Sequence, residues 1–223
     1  MLFYLENKSG CAMMKFDSPS QKMCQQKGDI MNERFWNLKK EKQDRMINAA
    51  LKVFAKNGYY RACTDEIVKE AEISKGLLFH YFVSKAGLYD FICDYSIRYM
   101  KLELSGMVNQ GNDNFWKHCK EIEAVKIKIM GNFPYMPLFL DTACEETAET
   151  LGEELMQKLS EYRVFLSQVY GTAQDHAIYG KLSGYLSQGA MKHYLMSGEN
   201  DPDRYYMEVS ELLDTLFEMS AKI

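Results

Sequence analysis

The segment TDEIVKEAEISKGLLFHYFVSK, residues 64–85, constrains the fold more than any other part of this sequence. Thr64 is a good N-cap for a first short helix, and two carboxylates follow it in the first turn, where they suit the helix dipole. Ser74 can cap a second helix that starts at the next residue, which leaves only a tight turn between the two. Leu78 and Phe82, four residues apart, would share the buried face of that second helix. The segment therefore predicts two short helices joined by a turn.

Most of the remaining side chains of the second helix are expected to point outward. They are Lys75, Gly76, Leu77, Phe79, His80 and Tyr81. A basic and aromatic face on so short a helix is poorly suited to a core, but it suits contacts with DNA phosphates and base edges. The alternative is an ordinary helical hairpin whose aromatic side chains are buried.

The flanking segments favour the DNA-binding interpretation. Residues 43–57 have apolar side chains at helical spacing, and Gly58 follows in the position that commonly ends a helix. The apolar residues of this helix are Ile47, Ala50, Leu51 and Phe54. Ser84 and Lys85 begin a further helix, whose free N–H groups and lysine could bind a phosphate. Three helices, of which the third is exposed, and a fourth helix that contacts the DNA phosphate backbone form a complete unit for reading DNA.

The stretch from Ala49 to Ile92 resembles the TetR-type bacterial transcriptional repressors. The resemblance is centred on Ile73-Ser74-Lys75-Gly76-x-Leu78-x-His80-Tyr81-Phe82-x-x-Lys85-x-x-Leu88. It implies phosphate contacts for Thr64 and Lys85. It also implies base or backbone contacts for Lys75, Gly76, Phe79, His80 and Tyr81. Leu77 replaces a commonly small polar residue and Phe79 a frequent tyrosine, so one hydroxyl-to-phosphate bond should be absent. Leu77 could instead touch a thymine methyl group, and the two changes leave the base preference open but not the DNA role.

The charge distribution agrees with a DNA-binding segment. The 223 residues carry a net charge of −4, which alone argues against binding nucleic acid. However, residues 31–85 hold 11 lysines and arginines against 7 acidic residues, whereas residues 86–223 hold 12 against 21. A basic head on an acidic body is typical of a DNA-reading domain joined to a sensor.

Other classes of protein find little support. Six cysteines without a C-x-x-C pair indicate reduced thiols in a cytoplasmic protein. No apolar run approaches the length of a membrane span, and no compact apolar signal region opens the chain. There is no G-x-S-x-G motif, and neighbouring His118 and Cys119 would project about 100° apart on a helix. We therefore predict no enzyme activity, no metal and no cofactor.

The sequence predicts an all-α fold in three parts. Residues 1–38 are expected to form an N-terminal extension, residues 39–85 a three-helix helix-turn-helix domain, and residues 86–223 a helical ligand-binding and dimerisation domain. Two hypotheses remain for the extension: it is a true arm, or the gene start is over-extended and translation begins at Met31. The second rests on Lys27-Gly28-Asp29, which a purine-rich run resembling a ribosome-binding site can encode.

The dimer is expected to use the last two long helices. A stripe of small residues lets two helices approach closely, and apolar residues of the final helix complete the surface. The residues expected there are Gly180, Ser183, Gly184, Ser187, Met191, Val209, Leu213 and Leu216. The alternative is that this stripe packs against its own chain. The resemblance favours a four-helix dimer interface.

An apolar effector pocket is expected among the aromatic helices of the body, because TetR-type proteins house one in this region. Its predicted lining is Leu102, Phe115, Trp116, Cys119, Tyr135, Phe139, Phe165 and Tyr170. Such residues also occur in ordinary cores. The predicted function is a homodimeric repressor released from a pseudo-palindromic operator by a small hydrophobic effector, which could be cationic because the body is acidic. A helical sensor that no longer binds DNA is the alternative.

Overall fold

Every regular element is helical in a computed structural model of the chain that describes residues 33–108, 115–170, 177–198 and 201–220. The helices are α1 (Glu33–Trp36), α2 (Lys40–Arg61), α3 (Thr64–Glu70), α4 (Lys75–Phe82), α5 (Lys85–Leu104), α6 (Phe115–Met130), α7 (Met136–Glu145), α8 (Ala148–Leu151), α9 (Glu153–Tyr170), α10 (Ala177–Ser197) and α11 (Pro202–Ser220). The prediction of an all-α chain with an N-terminal helix-turn-helix is confirmed. Residues 1–30 and Met31 lie outside the described residues, so the hypothesis about the gene start stays a prediction.

Local chemistry explains the helices of the head, which we define as α1–α4. The Ser74 hydroxyl accepts a hydrogen bond from the Leu77 N–H at 3.2 Å and caps α4 as predicted. Ser84 caps α5 in the same way, accepting from the Gly87 N–H at 3.0 Å. Thr64, expected to be a cap, is instead the first residue of α3, and the residue before it makes no side-chain cap.

The head begins earlier than the predicted boundary after residue 38. Phe35 is fully buried. Its ring lies 5.2 Å from those of Phe82 and Phe91, centroid to centroid. Gln43 donates to the carbonyls of Trp36 and Leu38 and so ties this segment to α2. The chain from α1 onward therefore packs as part of the head rather than as an extension.

The body, α5–α11, packs closely against the head. Helix α2 packs directly on α7, and α5 contacts both helices. The rings of Phe54, Tyr89 and Phe139 meet at this junction, with centroids 4.8–6.3 Å apart. One hydrophobic core thus crosses the boundary predicted at residue 85, so the position of α7 bears directly on the position of the head. Within the described residues, no helix is long and apolar enough to cross a membrane.

Candidate functional site

Helix α4 presents a mixed outer face. Lys75, Gly76 and His80 are exposed, while Leu77 and Phe79 are half-buried. A Cβ added at Gly76 would have no heavy atom within 4 Å, so the backbone here stands open to an approaching ligand. These five predicted residues lie together along one helix, as a surface that enters a DNA groove requires.

Tyr81 corrects the prediction for this face. It was expected to point outward, but only 8% of it is exposed. Its ring lies 6.0 Å from that of Phe35, with the planes at 73°. The reason is helical spacing: positions 78, 81 and 82 fall on one side of α4, and α1, which lay outside the predicted head, covers that side. Tyr81 therefore packs in the head.

Lys75, the first residue of α4, forms an exposed ion pair with the first turn of α3. Its ammonium lies 2.8 Å from the carboxylate of Asp65. The hydrogen bond with Asp65 raises the pKa of Lys75, so the ammonium stays charged. Thr64 lies half-buried beside this pair, at the first turn of α3. A phosphate or a guanine edge could replace Asp65 as the partner of Lys75.

Lys85, the other predicted phosphate ligand, is held firmly at the start of α5. Its ammonium donates to the Tyr60 carbonyl at 3.1 Å and lies 4.8 Å from the centre of the Tyr59 ring. The ammonium is thus fixed by the end of α2 at the edge of the DNA-facing surface. Sequence reasoning did not identify Tyr59 and Tyr60 as its supports.

The predicted dimer residues mostly face the chain's own interior, which corrects that prediction. Five of them are almost fully buried within the single chain: Ser183, Ser187, Met191, Val209 and Leu213. Gly180, Gly184 and Leu216 are half-buried. The stripe of small residues packs against α6: the Cys119 thiol donates to the Ser183 hydroxyl at 3.7 Å. Close approach does occur here, but between helices of one chain.

A different face of α10 is apolar and exposed. Tyr185 is 70% exposed, and Leu182 and Met196 are also exposed on the side opposite the buried serines. Gly189 lies between them along the same face, open to solvent. On α11 the exposed apolar residues are Met207, Leu212, Phe217 and Met219. A helix that is apolar all round is normally covered on all sides.

The structure does not bring the predicted pocket residues together. Leu102 is 57% exposed, so it lies on the surface and not in a pocket. Phe139 belongs to the junction between head and body, and Tyr135 lies under the Lys56 ammonium at 5.4 Å. Phe115 and Trp116 stack edge to face near the start of α6, and Phe165 stacks on Tyr162 in α9. Of the eight residues, Tyr170 belongs to the polar cluster described next, and Cys119 contacts Ser183, one helical turn before the Ser187 of that cluster.

A buried polar cluster lies where α6, α9, α10 and α11 meet. The Lys126 ammonium donates to the Glu123 carboxylate at 2.9 Å, the Tyr170 hydroxyl at 2.7 Å and the Ser187 hydroxyl at 2.8 Å. The Tyr205 hydroxyl donates to the other Glu123 oxygen at 3.0 Å. We call these five residues the polar cluster. Sequence reasoning missed it, although Lys126 stands on the same face of α6 as buried Ile122 and Ile129.

The neighbours of Lys126 keep its ammonium charged. Burial alone would lower the pKa of Lys126, but Glu123, Tyr170, Tyr205 and Asp141 together outweigh burial, and the pKa is raised well above its usual value. Asp141 of α7, close enough to interact with both charges, behaves differently. Burial raises the pKa of Asp141 to about 7, although the Lys126 ammonium opposes that rise. The Lys126 ammonium and the Glu123 carboxylate thus lie near a second carboxyl group, that of Asp141, whose pKa is close to neutrality.

The described residues contain no group of three or more His, Cys, Asp or Glu side chains that could hold a metal ion. His118 is buried and its ring nitrogen lies 2.7 Å from the Val169 carbonyl. That contact makes His118 a packing residue rather than a base beside Cys119.

Comparison with known proteins agrees with the geometry of the head. Residues 46–91 match the family model of bacterial regulatory proteins, tetR family. The uncharacterized HTH-type transcriptional regulator YerO of Bacillus subtilis is 34% identical over 82 residues, which are 37% of this chain and 27% of that protein. The HTH-type transcriptional regulator UidR of Escherichia coli is 43% identical over 44 residues, 20% of this chain and 22% of UidR. The alignments thus span little more than a quarter of these relatives' length at most.

Solved structures show that the fold extends through the body. A TetR family transcriptional regulator from Chloroflexus aurantiacus superimposes with a TM-score of 0.56 at 18% identity, covering 84% of this chain and 94% of that one. A Clostridium perfringens putative fatty acid metabolism regulator gives 0.52 at 18% identity, covering 76% and 96%. At such identities the likeness concerns the fold alone. The chain thus carries a helix-turn-helix sequence of the tetR family over residues 46–91, and its described residues share their fold with TetR family structures.

Proposed function

We propose that the protein is a homodimeric repressor that binds a pseudo-palindromic operator and releases it when a small, apolar, cationic effector binds in the body. The observation that carries the DNA-binding part is the outer face of α4. It places Lys75, Gly76 and His80 in solvent on one short helix, and Lys85 stands at the start of the next. Base edges and backbone phosphates are the ligands that such a face fits.

Selection of bound sites from a random DNA pool tests this proposal directly. Two recognition helices of a dimer should select half-sites about 34–36 Å apart, or a multiple of that distance. Lys85→Ala should weaken binding to all sequences alike and reduce the salt dependence by roughly one unit of slope. Lys75→Ala should relax the preference at one base pair, by about 1–3 kcal/mol if Lys75 contacts guanine.

Lys128→Ala provides the matched control, because Lys128 is an exposed lysine of the body that pairs with Glu103 at 3.1 Å. This variant should keep the affinity and the salt dependence of the wild type. If no sequence is enriched, or if Lys85→Ala and Lys128→Ala behave alike, the head does not read DNA as proposed. The protein would then be a sensor of the same fold that has lost DNA binding.

The exposed apolar face of α10 supports the dimer. Helix α10 contains no acidic residue, and its charges include Lys181 and Lys192. Helix α11 contains five acidic residues and one arginine. In a two-fold arrangement, α10 of one subunit can pack across α11 of the other, joining opposite charges around an apolar centre. The proposed dimer interface therefore uses the two helices predicted from sequence but a different face of each. Its contact residues are Leu182, Tyr185, Gly189, Met196 and the exposed apolar residues of α11.

The charges of the body support the choice of effector. Lys126 already has three acceptors in the polar cluster, so it offers no free donor to an anion. Asp141 adds a half-buried carboxylate near that saturated pair, and a cation at close range stabilises a carboxylate. An apolar cation near Asp141 would gain this attraction, and aromatic side chains such as Tyr170 would add to it.

Thermal-shift measurements with tetraphenylphosphonium and tetraphenylborate compare two ions of nearly equal shape and opposite charge. We expect the phosphonium to stabilise the protein and to release operator DNA. Asp141→Asn should reduce that preference, whereas Asp203→Asn on the exposed start of α11 should preserve it. Equal stabilisation by the borate would refute the cationic class while leaving DNA binding untouched.

A further inference from the structure

Helix α2 ends in a kink that the body holds in place. Gly58 interrupts the helix with φ 68° and ψ 176°, a conformation that side chains other than glycine rarely adopt. The kink turns the Tyr59 N–H outward, and this N–H donates to a carboxylate oxygen of Glu146 at 2.9 Å. Glu146 is the residue that ends α7, so the contact joins the head to the body across 87 positions of sequence.

The fit around the kink is close. A Cβ built on Gly58 would lie 3.0 Å from the same Glu146 oxygen. Glycine therefore serves two purposes here, since it permits the positive φ and leaves room for the carboxylate. A second contact supports the same junction: the Thr142 hydroxyl of α7 donates to the Ala55 carbonyl at 3.2 Å. Helix α7 thus holds the last turns of α2 at two points on one face.

The clamped residues are those that hold Lys85. The Lys85 ammonium donates to the carbonyl of Tyr60 and lies over the ring of Tyr59. The Tyr59 ring in turn packs edge to face on Tyr89 of α5, with centroids 5.0 Å apart. A continuous series of contacts therefore runs from the Glu146 carboxylate through the backbone of residues 59 and 60 to the ammonium of Lys85.

We propose that Glu146 is a positioning residue for DNA binding, which places the Lys85 ammonium against the phosphate backbone by holding the kink at Gly58. This inference rests on the proposed role of Lys85 in DNA binding. It adds a route by which the body sets operator affinity, because a displacement of α7 moves the acceptor of the Tyr59 N–H. The first turn of α5 then loses the support of Tyr59 and Tyr60 even if α5 itself does not rotate.

A double-mutant cycle on operator affinity tests the inference. Glu146→Ala removes the acceptor and should weaken binding about 3- to 10-fold, the range expected for one hydrogen bond. Glu146→Gln keeps an acceptor oxygen and should restore most of the affinity. In a Lys85→Ala background, Glu146→Ala should cause no further loss, because Glu146 acts through Lys85.

Glu145→Ala is the matched control. Glu145 is the preceding residue of the same helix, and its carboxylate accepts from Gln188 of α10 rather than from the head. It should leave operator affinity unchanged. Thermal unfolding of every variant should precede the binding assays, and Glu146→Met, similar in length without an acceptor, replaces Glu146→Ala if that variant does not fold.

Two outcomes would overturn the inference. Losses from Glu146→Ala and Lys85→Ala that simply multiply would mean that the two residues act independently. Unchanged affinity in Glu146→Ala, with a clear loss in Lys85→Ala, would mean that the clamp has no part in DNA binding while the proposed function stands. If Lys85→Ala itself left operator affinity unchanged, the proposed phosphate contact of Lys85 would be refuted, and the inference about Glu146 with it. The selection of an operator would still test DNA binding by α4 separately.

Discussion

Removal of the Lys126 ammonium should destabilise the protein more than removal of a lysine from an ion pair on the protein surface. The side chain of Lys126 is 12% exposed and that of Glu123 only 2%. In Lys126→Met the stem keeps its packing, but the Glu123 carboxylate loses its counter-ion, and the Tyr205 hydroxyl remains as its donor among the described residues. Tyr170 and Ser187 lose their charged donor as well.

The expected magnitude follows from the burial of the carboxylate. Breaking a buried ion pair by removal of one partner typically costs about 3–5 kcal/mol, because an uncompensated charge remains. That is a large part of the roughly 5–15 kcal/mol by which a domain is stable. Glu123→Gln in the same chain removes the stranded charge. The double variant should therefore recover much of the loss, since replacing both charges of a buried pair is often nearly neutral.

Urea unfolding followed by circular dichroism measures these differences, at several protein concentrations so that dimer dissociation is separated from unfolding. Lys117→Met is the control, because Lys117 lies on the same helix α6 and pairs with Glu121 at 3.8 Å on the surface. Such a pair contributes about 0–1 kcal/mol. If Lys126→Met costs no more than Lys117→Met, or if the double variant is as unstable as the single one, the cluster is not the ionised buried network described above.

Three further results are expected. Burial raises the pKa of Asp141 from the 3.8 of a free side chain to about 7, so the folded state binds this proton more tightly than the unfolded state does. The free energy of unfolding should therefore fall as the pH rises from about 4 to 7. Asp141→Asn should remove that fall in unfolding curves measured across this range. Leu182→Glu combined with Tyr185→Glu should yield monomers in sedimentation experiments with little change in the unfolding of the subunit, whereas a persistent dimer would exclude this face of α10. Gly87→Ala would place a Cβ 2.3 Å from the Phe82 carbonyl oxygen and should lower the free energy of unfolding by about 1–3 kcal/mol. Gly76→Ala, with open space around it, should raise that free energy by roughly 0.5–1 kcal/mol, and thermal unfolding compares the two variants.

The head could be predicted from sequence because its determinants are local. Ser74 caps α4 within three residues, and Leu78 and Phe82 share one face through helical spacing alone. The error at Tyr81 has a non-local cause. Its ring is covered by Phe35, which lies 46 positions earlier in a segment without clear periodicity. Spacing indicates which side chains share a face, but not what covers that face.

The body was less predictable because its small and polar residues have no fixed preference for the inside. Ser183 and Ser187 are buried since their hydroxyls meet Cys119 and Lys126, which lie more than 60 positions away. The same pattern of small residues fits a contact between subunits equally well. Lys126 and Glu123 are residue types that are mostly exposed, and only their partners on three other helices make burial favourable. Tertiary partners of this kind leave no local signal in the sequence.

Helix α7 gives the two halves of the proposed function a common element. Phe139, Thr142 and Glu146 recur at spacings of three and four, and all three contact the head. Asp141 and Glu145 fall on a different side of the helix, about 110° away, toward the polar cluster and α10. A cation bound near Asp141 and DNA bound through Lys85 would therefore act on two faces of the same ten-residue helix. Because packed helices shift as rigid units, a displacement on one face must appear on the other, and any coupling between effector and operator must be equal in both directions.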